Sequence, residues 1–120
     1  MALNSLELTK EQVEKATTGV RFDAGKFRFD LVPVEPIEAY AAIMTMGAAK
    51  YADRNWELGM KWGRVMASFF RHWAAWMKGE LKDKESGYPH TWHMLWNIAT
   101  IVTYEQRKIG ENDLFKEPNV

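Results

Sequence analysis

The amino-acid sequence predicts an all-α fold. Apolar residues recur at spacings of three and four over residues 62–76, as they do along one side of a helix. Segments rich in Ala and Met favour helix, and no stretch alternates between apolar and polar residues as strands do. With 120 residues, of which 47% are apolar, the chain is long and apolar enough for one core. We therefore expect a single helical bundle.

The first part of the chain is predicted as a short helix followed by an arm. Thr9 and Gln12 have the spacing of a capping box, which predicts a helix over residues 9–16. Residues 17–33 contain two glycines, three basic residues and several β-formers. This composition is typical of an extended loop or arm.

Two longer helices are expected in the middle of the chain. One begins near Glu35, has Pro36 in its first turn, where the missing N–H costs nothing, and runs to about Lys50. The next helix carries an apolar stripe, which predicts a side facing the core. The stripe is formed by Trp62, Val65, Phe69, Trp73 and Trp76.

A last helix is predicted to open at Pro89, to run to about Lys108 and to stop at Gly110. The polar tail that follows is expected to be loose or to be used in a subunit contact. The predicted organisation is an N-terminal segment, an all-α domain and a C-terminal tail. Their bounds are residues 1–18, 19–109 and 110–120.

Composition and charge exclude several classes of partner. Lys plus Arg and Asp plus Glu both number 16, whereas proteins that bind duplex DNA usually have a basic excess. No stretch is apolar enough for a membrane span and the first residues show no signal-peptide pattern, so we expect a cytoplasmic protein. Because cysteine is absent, a metal would be held by carboxylate, imidazole or amide groups. The six Trp and six Phe are many for so small a domain, so we expect some of them between the subunits of a homodimer or homotetramer.

Two pairs of carboxylates have a spacing that suits a metal site. Glu35 and Glu38 are three residues apart, and Glu80 and Asp83 repeat that spacing after Gly79. Neighbouring carboxylates repel each other unless a divalent cation lies between them, and Mg²⁺ and Mn²⁺ suit oxygen ligands. If the preceding helix continues through Gly79, Glu80 and Asp83 follow its apolar side, where an acid needs a partner. The alternative for either pair is a solvated helix face.

The last helix carries a polar stripe on an otherwise apolar surface. His90, His93 and Asn97 are spaced by three and four residues, so they share one side of the helix. Such a stripe faces either a ligand or an internal hydrogen-bonded network, and both readings remain open. Asp83 and Glu85 precede His90 closely enough for all of them to meet at one site. A zinc site of two histidines and an acid is conceivable, although the sequence has no HExxH motif.

Basic and aromatic side chains are candidates for binding a nucleotide. Arg and Lys suit phosphate oxygens and aromatic rings stack on bases, although most such residues belong to the surface or the core. The candidates are Arg21, Lys26, Arg28, Lys50, Tyr51, Arg54, Asn55, Trp56, Arg71 and His72, together with His90, His93 and Asn97. No P-loop and no GxGxxG motif is present.

Three blocks of the sequence resemble one family. They read GVRFDAGKFRFDLVP, GAAKYADRNWELGMKW and RHWAAWMKGELKDKESGYPHTWHMLWN, and the likeness covers residues 19–104. The chain resembles the phage-type dATP/dGTP diphosphohydrolases, also called MazZ-like. These are a branch of the all-α nucleoside triphosphate pyrophosphohydrolases related to MazG.

The resemblance implies a MazG-like helical bundle, completed by oligomerisation, that splits dGTP, dATP or GTP into the monophosphate and pyrophosphate with Mg²⁺ or Mn²⁺. The setting it implies is phage nucleotide metabolism, in some cases the supply of dGMP for 2-aminoadenine DNA. The metal-binding ExxE and ExxD motifs of the superfamily carry over to Glu35 and Glu38, and to Glu80 and Asp83. The interval between the two pairs is longer than is usual there, so Glu85 or the histidines are alternative members of the second set.

Two other functions remain open at this stage. One is a non-catalytic helical module that binds a nucleotide or a protein partner without hydrolysis. The other is a structural helical oligomer, in which the histidines and carboxylates pair only with each other.

Overall fold

A computed structural model describes residues 7–116 of the chain. The chain divides into two compact units, of which the first ends at Pro33 and the second begins at Val34. The domain bounds expected from the sequence, at residues 18 and 109, stay predictions. None of the helices among the described residues is long and apolar enough to cross a membrane.

The first unit contains helix α1, Lys10–Lys15, and a 3₁₀ turn, Phe29–Leu31. The predicted capping box is confirmed, because the Gln12 backbone N–H donates to Thr9 Oγ1 and the Thr9 N–H donates to Gln12 Oε1. Both bonds satisfy N–H groups that the first helical turn cannot pair internally. Helix α1 buries no residue, so the hydrogen bonds at its two ends are what stabilises it locally.

The described part of the second unit contains three helices, which are α2, Val34–Lys50, α3, Trp62–Met77, and α4, His90–Arg107. Helix α4 packs against both α2 and α3. Within the part of the chain that the structure describes, extended pairing is limited to two isolated bridges, so the predicted all-α class is confirmed. A 3₁₀ turn, Asn55–Leu58, lies between α2 and α3.

The core lies where the start of α3 meets the end of α4. Its buried residues are Trp62, Val65 and Tyr104, with Trp56 and Ile109 among the half-buried residues around them. The polar ends of the rings are paired, since Trp62 Nε1 donates to the Ile109 carbonyl oxygen and Tyr104 Oη donates to that of Trp56. The connection before α3 and the segment after α4 are thereby fastened to the same core.

Helix α3 ends at Met77, before the second carboxylate pair. Gly79 adopts the left-handed conformation with φ +98°, its N–H donates to the Trp76 carbonyl oxygen, and the Glu80 N–H donates to that of Ala75. These two bonds form the Schellman motif, which closes a helix at a glycine. The condition under which Glu80 and Asp83 would follow the apolar side of this helix is therefore not met, and both lie in the loop that follows.

The predicted end of α4 near Lys108 is confirmed, but Gly110 is not the residue that stops the helix. Lys108 takes the left-handed conformation, with φ 56°, and closes the helix two residues before Gly110. Gly110 has another role, since a Cβ on it would lie 2.5 Å from the Met60 carbonyl oxygen. This close approach of two backbones explains the glycine better than a helix stop does.

The segment after α4 is attached at its beginning rather than loose. The Glu111 carbonyl oxygen accepts from the Trp62 N–H at 2.9 Å, and Asp113 Oδ1 accepts from the Gly63 N–H at 2.7 Å. Both acceptors satisfy the first N–H groups of α3, a position where a carboxylate also interacts favourably with the helix dipole. The residue before the helix, Lys61, provides no side-chain cap, so the cap comes from distant sequence.

The predicted apolar stripe of α3 is buried at its beginning and exposed near its end. Trp62 and Val65 are buried, whereas Trp73 and Trp76 remain 43% and 41% exposed. Phe70 and Met77 are also exposed and stand one turn to either side of Trp73. We call Phe70, Trp73 and Met77 the α3 apolar row.

Candidate metal and nucleotide site

One cavity of about 1400 Å³ contains the predicted site residues of the second unit, apart from two glutamates. It is lined by the end of α2, the connection to α3, one side each of α3 and α4, and the loop between those helices. The predicted residues that line it are Lys50, Tyr51, Arg54, Asn55, Trp56, Arg71, His72, Glu80, Asp83, His90, His93 and Asn97.

The first carboxylate pair does not line this cavity. Glu35 and Glu38 lie in the first turns of α2 with exposed side chains. Their assignment as metal ligands stays a prediction.

The basic residues of the arm belong to the first unit. Arg21 and Lys26 are exposed there. Arg28 makes a two-pronged ion pair with Asp30, in which its Nε and one terminal nitrogen lie 2.8 Å from the two carboxylate oxygens. Their assignment to phosphate binding also stays a prediction.

The polar stripe of α4 lies on the buried side of that helix. His90, His93 and Asn97 are 3%, 8% and 2% exposed, and Thr100 and Tyr104 continue the same side. Burying so many polar groups is costly unless they are hydrogen-bonded or bind a ligand. The Nε2 atom of His90 and the Oδ1 atom of Asn97 are buried and have no hydrogen-bond partner among the described residues.

The loop between α3 and α4 folds back on itself and holds Asp83 beside the start of α4. The Asp83 N–H donates to the Tyr88 carbonyl oxygen at 2.8 Å, and the His90 N–H donates to that of Leu81 at 2.9 Å. These bonds flank an antiparallel bridge between Lys82 and Pro89. Acidic and histidine side chains that are separated in sequence are thereby placed together.

Three side chains from α3, the loop and α4 form a group that is able to hold a metal ion. His72, Asp83 and His90 each offer one donor atom, and these atoms all lie within 4.8 Å of one another. The two Nδ1 atoms of the histidines are 2.8 Å apart. Nε2 of His90 lies 3.7 Å from Glu80 Oε2, a distance too long for a hydrogen bond.

Ser86 joins this group, and the sequence reasoning missed it. Its backbone N–H donates to Asp83 Oδ2 at 2.9 Å, and its Oγ lies 2.7 Å from His93 Nε2. The His93 ring stacks on the His72 ring at 4.3 Å between centroids, with 3° between their planes. Beside Gly87, Ser86 reads in the sequence as an ordinary turn residue, and no local signal distinguishes it.

The electrostatic environment favours the neutral forms of His72 and His93 and the ionised form of Asp83. Burial lowers the pKa of His72, and the neighbouring His93 lowers it further. Burial also lowers the pKa of His93, although Asp83 acts in the opposite direction. Burial acts to raise the pKa of Asp83, but the hydrogen bonds from Ser86 and the two nearby histidines outweigh it, so this pKa lies below its ordinary value.

The donor set fits a divalent metal ion. Neutral imidazole and ionised carboxylate are the forms that bind metals. His90 also has one buried ring nitrogen, Nε2, without a hydrogen-bond partner among the described residues, and such an atom needs a metal, a ligand or a hydrogen-bond acceptor. The chemistry of the three side chains is therefore consistent with a metal centre at one side of the cavity.

The remaining cavity residues offer cations and aromatic rings. Lys50 Nζ lies 3.4 Å from Glu85 Oε1 and 5.3 Å from the centre of the Tyr51 ring. Arg54 holds the left-handed backbone conformation, with φ 58°, and pairs with Glu57 at 3.2 Å. Arg71 and Asn55 are exposed at the cavity.

The two aromatic candidates for stacking on a base differ in their surroundings. Trp56 is half-buried, and its ring contacts those of Trp96 and Tyr104 with centroids 6.4 and 6.3 Å away. Tyr51 is 67% exposed. Trp56 therefore supports the core as well as lining the cavity, and Tyr51 has the freer ring.

Comparison with known proteins assigns the family. A family model described as "dATP/dGTP diphosphohydrolase, N-terminal" matches residues 16–114. The chain belongs to this family. The match contains all of α2, α3 and α4, and it confirms the resemblance to the phage-type dATP/dGTP diphosphohydrolases.

A relative of this chain occurs in Salmonella phage PMBT28. That protein is named dATP/dGTP diphosphohydrolase and is 33% identical over 76 residues, which are 63% of this chain. The matched part is 26% of the phage protein, so the chain spans about a quarter of that relative's length. No solved structure gives a significant match.

Proposed function

We propose that this chain hydrolyses a purine deoxynucleoside triphosphate, dGTP or dATP, to the monophosphate and pyrophosphate. The observation that carries the proposal is the His72–Asp83–His90 group at the side of a cavity that also contains Lys50 and Arg71. Phosphoanhydride hydrolysis depends mainly on positioning and on neutralising phosphate charge, and this combination of groups suits both needs. The family and the name of the phage relative support the substrate class.

The proposed cofactor is Mg²⁺ or Mn²⁺, held by the site carboxylates and, for an ion that accepts nitrogen ligands, by His72 and His90 as well. When bound, such an ion supplies charge neutralisation at the phosphate and activates a water. Glu80 and Asp83 would provide oxygen ligands from the loop. Glu35 and Glu38 are proposed as the other carboxylate pair, as the superfamily motif implies.

The other cavity side chains would bind and orient the nucleotide. Lys50, Arg54 and Arg71 are proposed to contact phosphate oxygens, since guanidinium forks and ammonium groups both bind these well. Tyr51 is proposed to stack on the base, since its ring is exposed at the cavity. Pairing with Glu85 and Glu57 holds Lys50 and Arg54 near the cavity before a substrate arrives.

We also propose that the chain works in phage nucleotide metabolism in the host cytoplasm, including the supply of dGMP for 2-aminoadenine DNA. A homodimer or homotetramer is the proposed assembly. The α3 apolar row supports it, since contiguous exposed aromatic residues are typical of a surface that a second subunit covers.

A product assay tests the reaction. Each deoxy- and ribonucleoside triphosphate is incubated with the purified protein and Mg²⁺ or Mn²⁺, and the products are separated by ion exchange. We expect monophosphate and pyrophosphate from dGTP or dATP, with loss of turnover on adding a chelator. Asp83→Asn should lose most of the activity, whereas Glu105→Gln, an exposed change on α4 outside the cavity, should retain it.

Two outcomes would contradict the proposal. Release of inorganic triphosphate or free phosphate would indicate a different hydrolase. Nucleotide binding without divalent ions and without turnover would indicate the non-catalytic module instead.

A further inference from the structure

We infer that His72, Asp83 and His90 bind a first-row transition ion, such as Mn²⁺, Co²⁺ or Zn²⁺, in preference to Mg²⁺, and that they do so without nucleotide. The inference rests on the proposed function for the chemistry that the ion serves. Binding of the ion itself rests on the three side chains alone.

The spacing of the two histidines suits one shared ion. Their Nδ1 atoms are 2.8 Å apart. Two nitrogens bound at about 2.1 Å to one ion lie about 3.0 Å apart at a right angle and about 3.4 Å apart at the tetrahedral angle. A shift of a few tenths of an ångström therefore brings the pair to ligand geometry. Asp83 contributes a carboxylate oxygen within 4.8 Å of the donor atoms of both histidines.

The donor types select the class of ion. Mg²⁺ prefers six oxygen ligands in a regular octahedron and gives up its waters reluctantly. Imidazole nitrogen suits transition ions, and affinities along the first row rise from Mn²⁺ towards Cu²⁺. Two imidazoles and one carboxylate, as provided by His72, His90 and Asp83, therefore favour a transition ion over Mg²⁺.

The surroundings of His90 are those of a ligand. If Nδ1 binds the ion, Nε2 carries the proton, and this buried atom has no hydrogen-bond partner among the described residues. The carboxylate oxygen Oε2 of Glu80 lies 3.7 Å from this nitrogen. Metal-binding histidines commonly donate from their second nitrogen to a carboxylate, which fixes the ring and raises its basicity. In the transition-ion arrangement, a shift that closes this 3.7 Å gap makes Glu80 a positioning residue for His90, in place of the ligand role that the Mg²⁺ arrangement gives it.

Asp83 is restrained in a similar way. One of its oxygens, Oδ2, accepts the Ser86 N–H at 2.9 Å, and the loop bonds hold its backbone. The same Oδ2 lies 4.0 Å from His93 Nε2. His93 is therefore near the group but bonded to Ser86, and we assign it no place among the ligands.

Metal binding by the intact chain tests the inference without any measurement of turnover. The protein is stripped with a chelator and titrated with Co²⁺, whose visible absorption reports nitrogen ligands and coordination number. Calorimetry with Mn²⁺ and with Mg²⁺ gives the two affinities. We expect Mn²⁺ to bind at least about tenfold more tightly than Mg²⁺, and Zn²⁺ to displace Co²⁺.

Variants identify the ligands. His72→Ala replaces a half-buried residue on α3 with a good helix former, so the fold should survive, and circular dichroism verifies it. We expect the Mn²⁺ affinity to fall at least about tenfold in this variant. Asp83→Asn should do the same. Glu105→Gln removes an equal charge from an exposed position on α4 outside the cavity, and should stay within about twofold of the original affinity if ligation rather than net charge decides.

The outcomes separate this inference from the proposed function. Equal affinity for Mg²⁺ and Mn²⁺, or unchanged Mn²⁺ affinity in folded His72→Ala, would overturn the inference even if dGTP is hydrolysed. Tight Mn²⁺ binding that depends on His72, in a protein that turns over no triphosphate, would support the inference and contradict the proposed function.

Discussion

At the scale of single residues, Ser86 connects three neighbouring residues through polar contacts. It accepts a hydrogen bond from the Tyr88 N–H at 3.2 Å through Oγ, lies 2.7 Å from His93 Nε2 through the same atom, and donates its own N–H to Asp83. One small side chain thus joins the loop carboxylate to the histidine that stacks on His72. Its hydroxyl is a positioning group, since it acts through its neighbours.

Replacing Ser86 tests this role. Ser86→Ala keeps the backbone bond to Asp83 but removes the hydroxyl that holds the His93 ring against the proposed ligand His72, and we expect both dGTP turnover and Mn²⁺ affinity to fall by about tenfold. Ser86→Thr keeps a hydroxyl and should recover most of the loss. Turnover of dGTP and Mn²⁺ calorimetry measure the two effects. If Ser86→Ala stays within about twofold of the original protein in both measurements, the Ser86 hydroxyl has no role at the site.

At the scale of elements, the end of α3 decides where the site carboxylates lie. Gly79 turns the chain out of the helix with φ +98°, and a Cβ there would meet no atom within 4 Å. The cost of a side chain at this position is therefore backbone strain and not a clash. Gly47, inside α2, also has free space around it but does not adopt a positive φ.

These two glycines make a matched pair of variants with opposite expected effects. Gly79→Ala should lower the free energy of unfolding by about 1–2 kcal/mol, because a left-handed conformation is costly for any residue with a Cβ. Gly47→Ala should raise it by about 0.5–1 kcal/mol, because alanine is the better helix former. Urea unfolding followed by circular dichroism gives both values. Destabilisation by both changes would show that packing, and not backbone conformation, controls these positions.

The sequence predicts those features of the fold that depend on residues close together in the chain. The capping box of Thr9, the start of α2 around Pro36 and the polar side of α4 were all predicted and are present. The end of α3 was not, because an isolated glycine within a helical pattern does not say whether its φ is positive. The hydrogen bond by which Asp113 caps α3 could not be predicted from local sequence, because it joins residues 50 positions apart.

The candidate site shows the same division. The spacing of His90, His93 and Asn97 predicted one shared side, and that side lines the cavity. Periodicity did not predict how Asp83 reaches His90, because a loop hydrogen-bonded across Lys82 and Pro89 has no periodicity. Glu35 and Glu38 lie outside the cavity lining, and their role as metal ligands stays a prediction from the superfamily motif.

At the scale of the whole molecule, much apolar surface is exposed. The α3 apolar row contributes Phe70, Trp73 and Met77, with 56%, 43% and 62% of their surfaces exposed. Ile98 and Val102 form a second exposed pair on α4, at 40% and 45%. Large contiguous apolar patches are typical of contact surfaces, so these residues are where the proposed second copy would bind.

A change in the middle of the row tests whether a second copy covers it. We expect the original protein to sediment as a dimer or larger species, and Trp73→Glu to dissociate it, because a carboxylate buried in an apolar interface is costly. Leu58→Glu makes a similar change at an 82% exposed position outside the row and should leave the assembly intact. Analytical ultracentrifugation measures both. A monomeric original protein, or an unchanged assembly in Trp73→Glu, would exclude this surface.

The closed loop between α3 and α4 also has a consequence for the folding of the chain. His72 and His90 are only 18 positions apart, and Asp83 and Ser86 lie between them. Joining such near neighbours costs little loop entropy, and helical hairpins with local contacts are among the fastest structures to form. The metal-binding group therefore needs only the pairing of two adjacent helices, and a nascent chain holds all of its donor atoms before the segment that caps α3 has been made.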